Sequence, residues 1–264
     1  MTVQVYGYIP DPRFTVSPDG TTVDLVAADS KFETLVAAQN LKQQTGDIDL
    51  SPYCVAMDQY SLESCTGNAT CEALEILENI SMGNATILSR LFTYAMARIL
   101  GGNLNTDSGS HVRNCFTSLS DMGVCTEGIW PYDLSLVCVS PSILAQQQAV
   151  GHRINGYYRI TSTGQQRLDD IDTALYNKLP VVIGTDIGQA FRNLASGTNG
   201  PLSPPSSSVG GHALVVVGKI GSNYKIKNSW GTGWGQNGFC LFTPDYLTWS
   251  TTDDLWVPTA PSTF

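Results

Sequence analysis

Apolar residues recur at helical spacing through much of the first half of the chain. Between Thr66 and Ile80 they stand at positions 69, 73, 74, 77 and 80, which is the period of one helix face. The other side is more polar and carries three glutamates, Glu72, Glu75 and Glu78. Residues 88–100 and 110–122 are further helical candidates. The first half is therefore predicted to be mainly helical.

The second half of the chain changes character. Short runs of apolar and β-branched residues cover Pro180–Gly184 and His212–Gly218, and a stretch rich in Gly, Ser and Pro separates them. Helices followed by strands predict a two-lobed α+β fold, in which a helical lobe faces an antiparallel β lobe. A cleft between two such lobes is a common place for an active site.

The first residues follow neither pattern. Tyr6–Arg13 contains two prolines, which favour extended backbone, and Ser17–Gly20 is a turn signal. We therefore expect an N-terminal extension over residues 1–45 and one main domain over residues 46–264.

The strand predicted from His212 is followed by a short turn and by Asn223–Trp230. If the turn centres on residue 220, the hairpin places position 212 opposite position 228. His212 and Asn228 would then be neighbours on one face of the sheet, and Lys227 would point to the other face.

Charge and hydropathy exclude several kinds of partner. The chain carries 14 Lys+Arg against 23 Asp+Glu, a net charge of -9, and has no basic cluster, so we expect no nucleic-acid partner. No apolar stretch is long enough to span a membrane, and residues 1–10 lack the basic start and apolar run of a signal peptide. We therefore expect a cytoplasmic protein with no membrane association, although these features leave export by another route open.

The cysteines argue against a metal centre. Seven cysteines leave at least one thiol unpaired, and the lack of an export signal favours reduced thiols. No Cys-x-x-Cys pair occurs, and the chain has only three histidines. We expect neither a metal nor another cofactor.

Cys65 stands directly before the strongest predicted helix. The unpaired N–H groups and the dipole of a helix start favour a thiolate over a thiol. A histidine oriented by an amide oxygen can accept the thiol proton and return it to a leaving amine. A core position would explain Cys65, His212 or Asn228 singly, but their combination favours a Cys-His-Asn catalytic site.

Three segments resemble those of papain-like cysteine peptidases: Asp58–Thr66, Gly211–Gly218 and Lys227–Gly238. His212 follows Cys65 by 147 residues, which fits the spacing of that family. The similarity extends over roughly residues 46–256 and is strongest to bacterial and viral members that lack the long inhibitory propeptide.

The resemblance implies roles for residues around the nucleophile. The Gln59 side chain would donate to the oxyanion beside the Cys65 backbone N–H, and Asn228 would orient His212. Trp230 would shield the His–Asn hydrogen bond from water.

Three more positions are implied to contact substrate, namely Glu63, Ser64 and Gly211. Glu63 stands where the family usually has glycine, so it adds bulk and negative charge beside the cleft. We expect this charge to favour substrates that carry Lys or Arg.

The sequence therefore predicts a cysteine endopeptidase that hydrolyses peptide or protein substrates through an acyl-enzyme on Cys65. Two alternatives remain open. One is a papain-like peptide-binding or structural module with little turnover, because Glu63 narrows the cleft. The other is an acyltransferase that passes the thioester's acyl group to an amine.

The N-terminal extension is expected to act on the cleft in cis. Tyr6, Tyr8 and Ile9 are apolar anchors on an extended segment, and a papain-like cleft is built for extended peptides. A short tether gives an effective concentration on the order of mM, so weak intrinsic affinity would suffice for inhibition. The alternative is an arm that packs permanently on the outer surface.

Overall fold

The computed structural model describes residues 6–83 and 86–259, and within them helices and strands segregate as the hydrophobic pattern predicts. The first five residues of the expected N-terminal extension lie outside the described residues. Helices of the first half form one lobe, and an antiparallel sheet made mainly by the second half forms the other. The predicted two-lobed α+β architecture is confirmed.

The α-helices of the described residues are α1 (Leu25–Ala28), α2 (Phe32–Gln39), α3 (Cys65–Met82), α4 (Arg90–Gly101), α5 (Val112–Asp121), α6 (Ile143–Gln148), α7 (Gly164–Tyr176), α8 (Gln189–Arg192) and α9 (Pro244–Leu247). Short 3-10 helices cover Ser51–Tyr53, Leu134–Leu136 and Ala149–Gly151.

The strands are β1 (Phe14–Val16), β2 (Thr22–Asp24), β3 (Ile48–Asp49), β4 (Tyr157–Arg159), β5 (Val181–Ile187), β6 (Gly210–Ile220), β7 (Asn223–Lys227), β8 (Phe239–Phe242) and β9 (Asp254–Pro258). β1 and β2 pair as a separate two-stranded ribbon. The main sheet has the order β4-β9-β5-β6-β7-β8, with β3 paired to β6.

The long helix α3 is the centre of the helical lobe, and it packs against α4, α5 and strand β6 of the sheet. The apolar pattern predicted a helix from 66 to 80, and the observed helix starts one residue earlier and ends two residues later. The prediction that the glutamates mark a polar side of this helix was wrong, because all three are at most 5% exposed. Their partners are the N–H groups of Val55 and Leu88 and the ring of His152, for Glu72, Glu75 and Glu78 respectively. A buried carboxylate needs such partners, and each of the three has one.

The hairpin of β6 and β7 differs in register from the predicted one. The pair at its turn is Ile220 with Asn223, so the turn centres later than expected, and an irregularity in β6 shifts the register again. The prediction that position 212 lies directly opposite position 228 is therefore wrong. Asn228 follows the end of β7, and only its side chain reaches His212.

The expected N-terminal extension has three structurally different parts. Residues 6–13, here called the arm, contact both lobes. The β1–β2 ribbon that follows is largely exposed. Helix α2 then contributes Phe32 and Leu35 to the core, where they are 1% and 2% exposed.

No helix of residues 6–83 and 86–259 combines the length and apolar character needed to cross a membrane. All seven cysteines lie within these residues and are unpaired. Cys138 is exposed, Cys54 is half-buried and the other five are buried.

Candidate active site

Cys65 is the first residue of α3, one residue before the predicted start of the helix, and it is fully buried. Burial raises the pKa of its thiol to about 12, because a thiolate loses more hydration than a thiol. Hydrogen bonds from the backbone N–H groups of Ala213 and Gly7 to the sulfur oppose this shift and lower the pKa. Ala213 belongs to the sheet lobe and Gly7 to the arm, so all three parts of the molecule meet at this sulfur.

His212 lies on β6, one residue before Ala213, and its ring is fully buried. Its Nε2 is 2.8 Å from Oδ1 of Asn228. Because an amide oxygen only accepts, Nε2 carries the hydrogen and Nδ1 of the neutral ring is unprotonated. Nδ1 is buried and has no hydrogen-bond partner among the described residues. Burial lowers the pKa of the ring to about 4, while the bond to Asn228 acts in the opposite direction.

Asn228 is held through its side-chain oxygen and through its backbone oxygen. Its Oδ1 also accepts from the Ser229 N–H at 2.8 Å, and its backbone oxygen accepts from Nζ of Lys227 at 2.6 Å. The ring of Trp230 packs 4.9 Å, between centroids, from that of His212. Trp230 is 7% exposed and packs apolar surface on His212. Its shielding of the His–Asn hydrogen bond stays a prediction.

Lys227 is a buried residue at this site that the sequence pattern missed. The expected alternation points the Lys227 side chain to the face of the sheet opposite that of Asn228. The side chain extends toward α3, where its Nζ is 3.8 Å from Glu72 Oε2. Both side chains are almost fully buried. The signal in the sequence was Glu72, one of three glutamates on α3, which stands among apolar residues at positions 69, 73 and 74.

Gln59 is fully buried between the two lobes. Its Nε2 donates to the Leu62 carbonyl at 2.8 Å, and its Oε1 accepts from the Ser229 hydroxyl at 2.6 Å. The backbone N–H of Gln59 donates to Ser229 O at 2.8 Å. These bonds tie the loop before Cys65 to the segment that carries Asn228.

The three expected substrate-contact residues differ in placement. The side chain of Ser64 is fully buried, and its Oγ lies 2.5 Å from the Tyr132 hydroxyl, so a contact with substrate is left to its backbone. Glu63 and Gly211 both border the arm: Cβ atoms added at Gly7 and Gly211 would lie 1.6 Å from Glu63 O and 2.9 Å from Tyr8 O. Burial, and then the neighbouring Asp107, raise the pKa of the Glu63 carboxyl.

The arm runs along this site as an extended segment. The ring of Tyr6 lies 6.3 Å from that of His212, and 6.2 Å from that of Trp230, between centroids. The Gly7 carbonyl accepts from the Ser110 N–H at 2.8 Å, and Ile9 N–H donates to Ser110 O at 3.1 Å. Gly7 thus crosses the site between Glu63 and the loop before α5.

A buried group of charges holds the other end of the arm. The Asp11 carboxylate lies 3.4 Å from both Arg113 and Arg159. The Asp254 carboxylate bonds to Arg159 and accepts from the Tyr8 hydroxyl at 2.6 Å and the Asp11 N–H at 2.8 Å. No local sequence pattern predicts this cluster, because its members come from the arm, α5, β4 and β9.

Burial raises the pKa of the Asp11 carboxyl to about 7, and the neighbouring Asp254 adds to the shift. Arg113 and Arg159 oppose it, and Asp29 raises the pKa further. Asp11 therefore binds a proton at a higher pH than an ordinary aspartate does.

Comparison with known proteins agrees with this geometry. Residues 49–249 match the model of the papain family cysteine proteases. An uncharacterized peptidase C1-like protein of Acanthamoeba polyphaga mimivirus is 31% identical over 253 residues, which are 89% of this chain and 79% of that protein. A cathepsin L-like proteinase of Fasciola hepatica is 29% identical over 51% of this chain and 40% of its own length.

Among solved structures, xylellain, a cysteine protease from Xylella fastidiosa, superposes with a TM-score of 0.75 at 27% identity. The match covers 97% of this chain and 96% of xylellain, so the similarity includes the N-terminal segment as well as the two lobes.

Proposed function

This chain belongs to the papain family of cysteine peptidases, and we propose that it hydrolyses peptide bonds through an acyl-enzyme on Cys65. The observation that carries the proposal is the 2.8 Å bond between His212 Nε2 and Asn228 Oδ1. That bond fixes the ring so that Nδ1 remains to exchange a proton with the nucleophile.

In the proposed reaction, Nδ1 of His212 takes the thiol proton and the Cys65 sulfur attacks the peptide carbonyl carbon. The carbonyl oxygen becomes an oxyanion that the Cys65 N–H and a Gln59 amide hydrogen stabilise. The tetrahedral intermediate collapses as Nδ1 gives the proton to the leaving amine. Water then adds to the thioester, with His212 as the base, and releases the acid and the thiol.

We further propose that the arm inhibits this reaction in cis. Gly7 lies against Glu63 and directs its N–H toward the Cys65 sulfur, so no substrate carbonyl can reach that sulfur while the arm is bound. The Gly7 carbonyl accepts a hydrogen bond from the Ser110 N–H, which fixes this peptide group in the bound position of the arm. On this proposal residues 46–264 form the catalytic domain, and within residues 1–45 the arm is the inhibitory part.

The proposal is tested by comparing Cys65→Ala with Cys138→Ala, which removes an exposed thiol. Both changes are made in the full chain and in a Gly7→Ala background, which weakens the arm. Peptide hydrolysis and mass-mapped labelling by a thiol-directed epoxide should be lost only with Cys65→Ala. Hydrolysis that persists without Cys65 contradicts the proposal, and mass analysis with an added amine separates hydrolysis from acyl transfer.

A further inference from the structure

The side chain of Tyr8 fills a pocket beside the proposed nucleophile. It is 7% exposed, and its neighbour Gly7 lies at Cys65. Two glycines of the sheet make the room: a Cβ added at Gly184 would lie 2.2 Å from the Tyr8 ring, and one at Gly211 would lie 3.0 Å from it. The pocket is thus one residue away from Cys65 along an extended occupant.

The floor of this pocket is a carboxylate. Asp254 is 1% exposed, and its Oδ2 accepts from the Tyr8 hydroxyl at 2.6 Å and from the Asp11 N–H at 2.8 Å. Its other oxygen, Oδ1, is bonded to Arg159. Asp253 contributes a weaker contact, with its Oδ1 3.4 Å from the Tyr8 hydroxyl.

Release of the arm changes the state of this floor. Both donors to Asp254 Oδ2, from Tyr8 and Asp11, belong to the arm, whereas the Arg159 bond to Oδ1 stays with the body. A buried carboxylate oxygen that loses its donors is costly to leave unpaired. The open pocket therefore binds best an occupant that brings a new donor to the end of a flat apolar side chain.

We propose that this pocket receives a tyrosine side chain of the substrate, and that Asp254 is the residue that selects it over phenylalanine. The inference rests on the proposed function and adds to it a preferred substrate class. A guanidinium or ammonium group fits less well, because the positive charge of Arg159 is already paired with the Asp254 carboxylate. A phenylalanine would fill the same space but leave Asp254 Oδ2 without a donor.

The size of the preference follows from the cost of an unpaired polar group. A site built around a substrate hydroxyl discriminates strongly against the analogue that lacks it. For this one bond to a charged acceptor we expect kcat/KM to be about 10- to 100-fold higher for tyrosine than for phenylalanine.

The experiment uses the full chain carrying Gly7→Ala, in which the arm is displaced, and pairs of quenched fluorescent peptides. Each pair differs only by Tyr or Phe at one position, and the position is walked along the peptide on both sides of the cleaved bond. One position should show the tyrosine preference, and Asp254→Asn, which keeps the shape but not the charge, should reduce it. Cleavage with no Tyr/Phe difference at any position overturns the Asp254 assignment and leaves the proposed function standing. No cleavage of any peptide overturns both.

A second variant tests the same pocket without changing any residue that lines it. Tyr8→Phe removes only the hydroxyl that Asp254 holds in the arm. It should raise the activity of the full chain several-fold, because the arm then leaves Asp254 Oδ2 with one donor fewer. Unchanged activity of Tyr8→Phe would mean that the bond between the hydroxyl and Asp254 contributes nothing to binding in this pocket, and would overturn the inference.

Discussion

Burial keeps the catalytic proton on sulfur while the arm is bound. The pKa of Cys65 is raised to about 12 and that of His212 is lowered to about 4, so the neutral thiol and the neutral ring coexist at neutral pH. Both shifts arise mainly from the exclusion of water. Departure of the arm admits water to these groups, and we expect both pKa values to move back toward their ordinary values. The arm thus opposes thiolate formation as well as substrate entry.

Substitutions at Glu63 can separate two effects of this residue on substrate selection, that of its charge and that of its bulk. Because it borders Gly7 in the cleft, its carboxylate is placed to attract Lys or Arg in a substrate once the arm has left. With a Gly7→Ala background, Glu63→Gln should reduce the preference for basic peptides roughly 2- to 5-fold, the scale of a partly exposed charge pair. Glu63→Gly should lose the same preference and also raise kcat/KM for all peptides.

The measurement is a comparison of the three proteins on one peptide library. The basic preference is judged relative to uncharged peptides, which corrects for differences in the amount of active enzyme. If the Glu63→Gln protein prefers Lys and Arg as strongly as its parent, the charge of Glu63 plays no part in selection.

On the proposed inhibition in cis the arm is the regulatory element, and Gly7 is the point where it packs most tightly against the body. A Cβ at Gly7 would lie 1.6 Å from a backbone oxygen that belongs to the loop before α3, so neither side can yield easily. Gly7→Ala should therefore displace the arm, raising kcat/KM and the rate of Cys65 alkylation by about 10-fold or more. Gly151→Ala is the matched control, because a Cβ at Gly151 meets no atom within 4 Å.

Thermal unfolding distinguishes an arm that inhibits the enzyme from an arm that only stabilises the fold. If Gly7→Ala lowers Tm and leaves kcat/KM and alkylation at the level of Gly151→Ala, the arm is a structural element and the inhibitory proposal fails. Deletion of residues 1–45 is a poorer test, because it also removes Phe32 and Leu35 from the core.

Elements with a strong local pattern could be predicted from the sequence, and their partners at long range could not. The apolar period predicted α3 to within two residues of its ends, and the segments around Cys65, His212 and Asn228 indicated the site. The β6–β7 register was missed because a bulge is a local backbone feature without a distinct composition here. The contact of Tyr8 with Asp254 spans 246 residues, and no periodicity carries that information.

At the scale of the whole molecule, the charge cluster couples the arm to pH. The groups that face Asp11 are Asp29, Asp254, Arg113, Arg159 and His111 from the packed elements, and Tyr8 from the arm itself. The bound arm holds the Asp11 proton with a pKa raised to about 7, against 3.8 for an ordinary aspartate. Proton binding then favours the bound arm, and this contribution is lost as pH rises from about 4 to about 7.

We therefore expect the full chain to become less inhibited as pH rises. The measurement is the ratio of kcat/KM for the wild-type chain to that for Gly7→Ala between pH 5 and pH 8, since the titration of the catalytic residues is shared by both proteins and largely cancels. The ratio should increase with pH, and Asp11→Asn should flatten it. A ratio that falls as pH rises would reverse the sign and rule out Asp11 as the controlling group.

The 246-residue separation of Tyr8 and Asp254 also orders events during synthesis. The arm leaves the ribosome before both lobes, whereas β9, which carries its carboxylate partner, emerges after the other strands of the sheet. Contacts this distant in sequence form only after the intervening chain has folded. His212 and Asn228 are translated shortly before β9, so on the proposed function the catalytic groups and the carboxylate that anchors the arm emerge almost together. A nascent chain that stalls after Asn228 would hold the arm through contacts such as those with Ser110, Arg113 and Arg159, but without the Asp254 carboxylate.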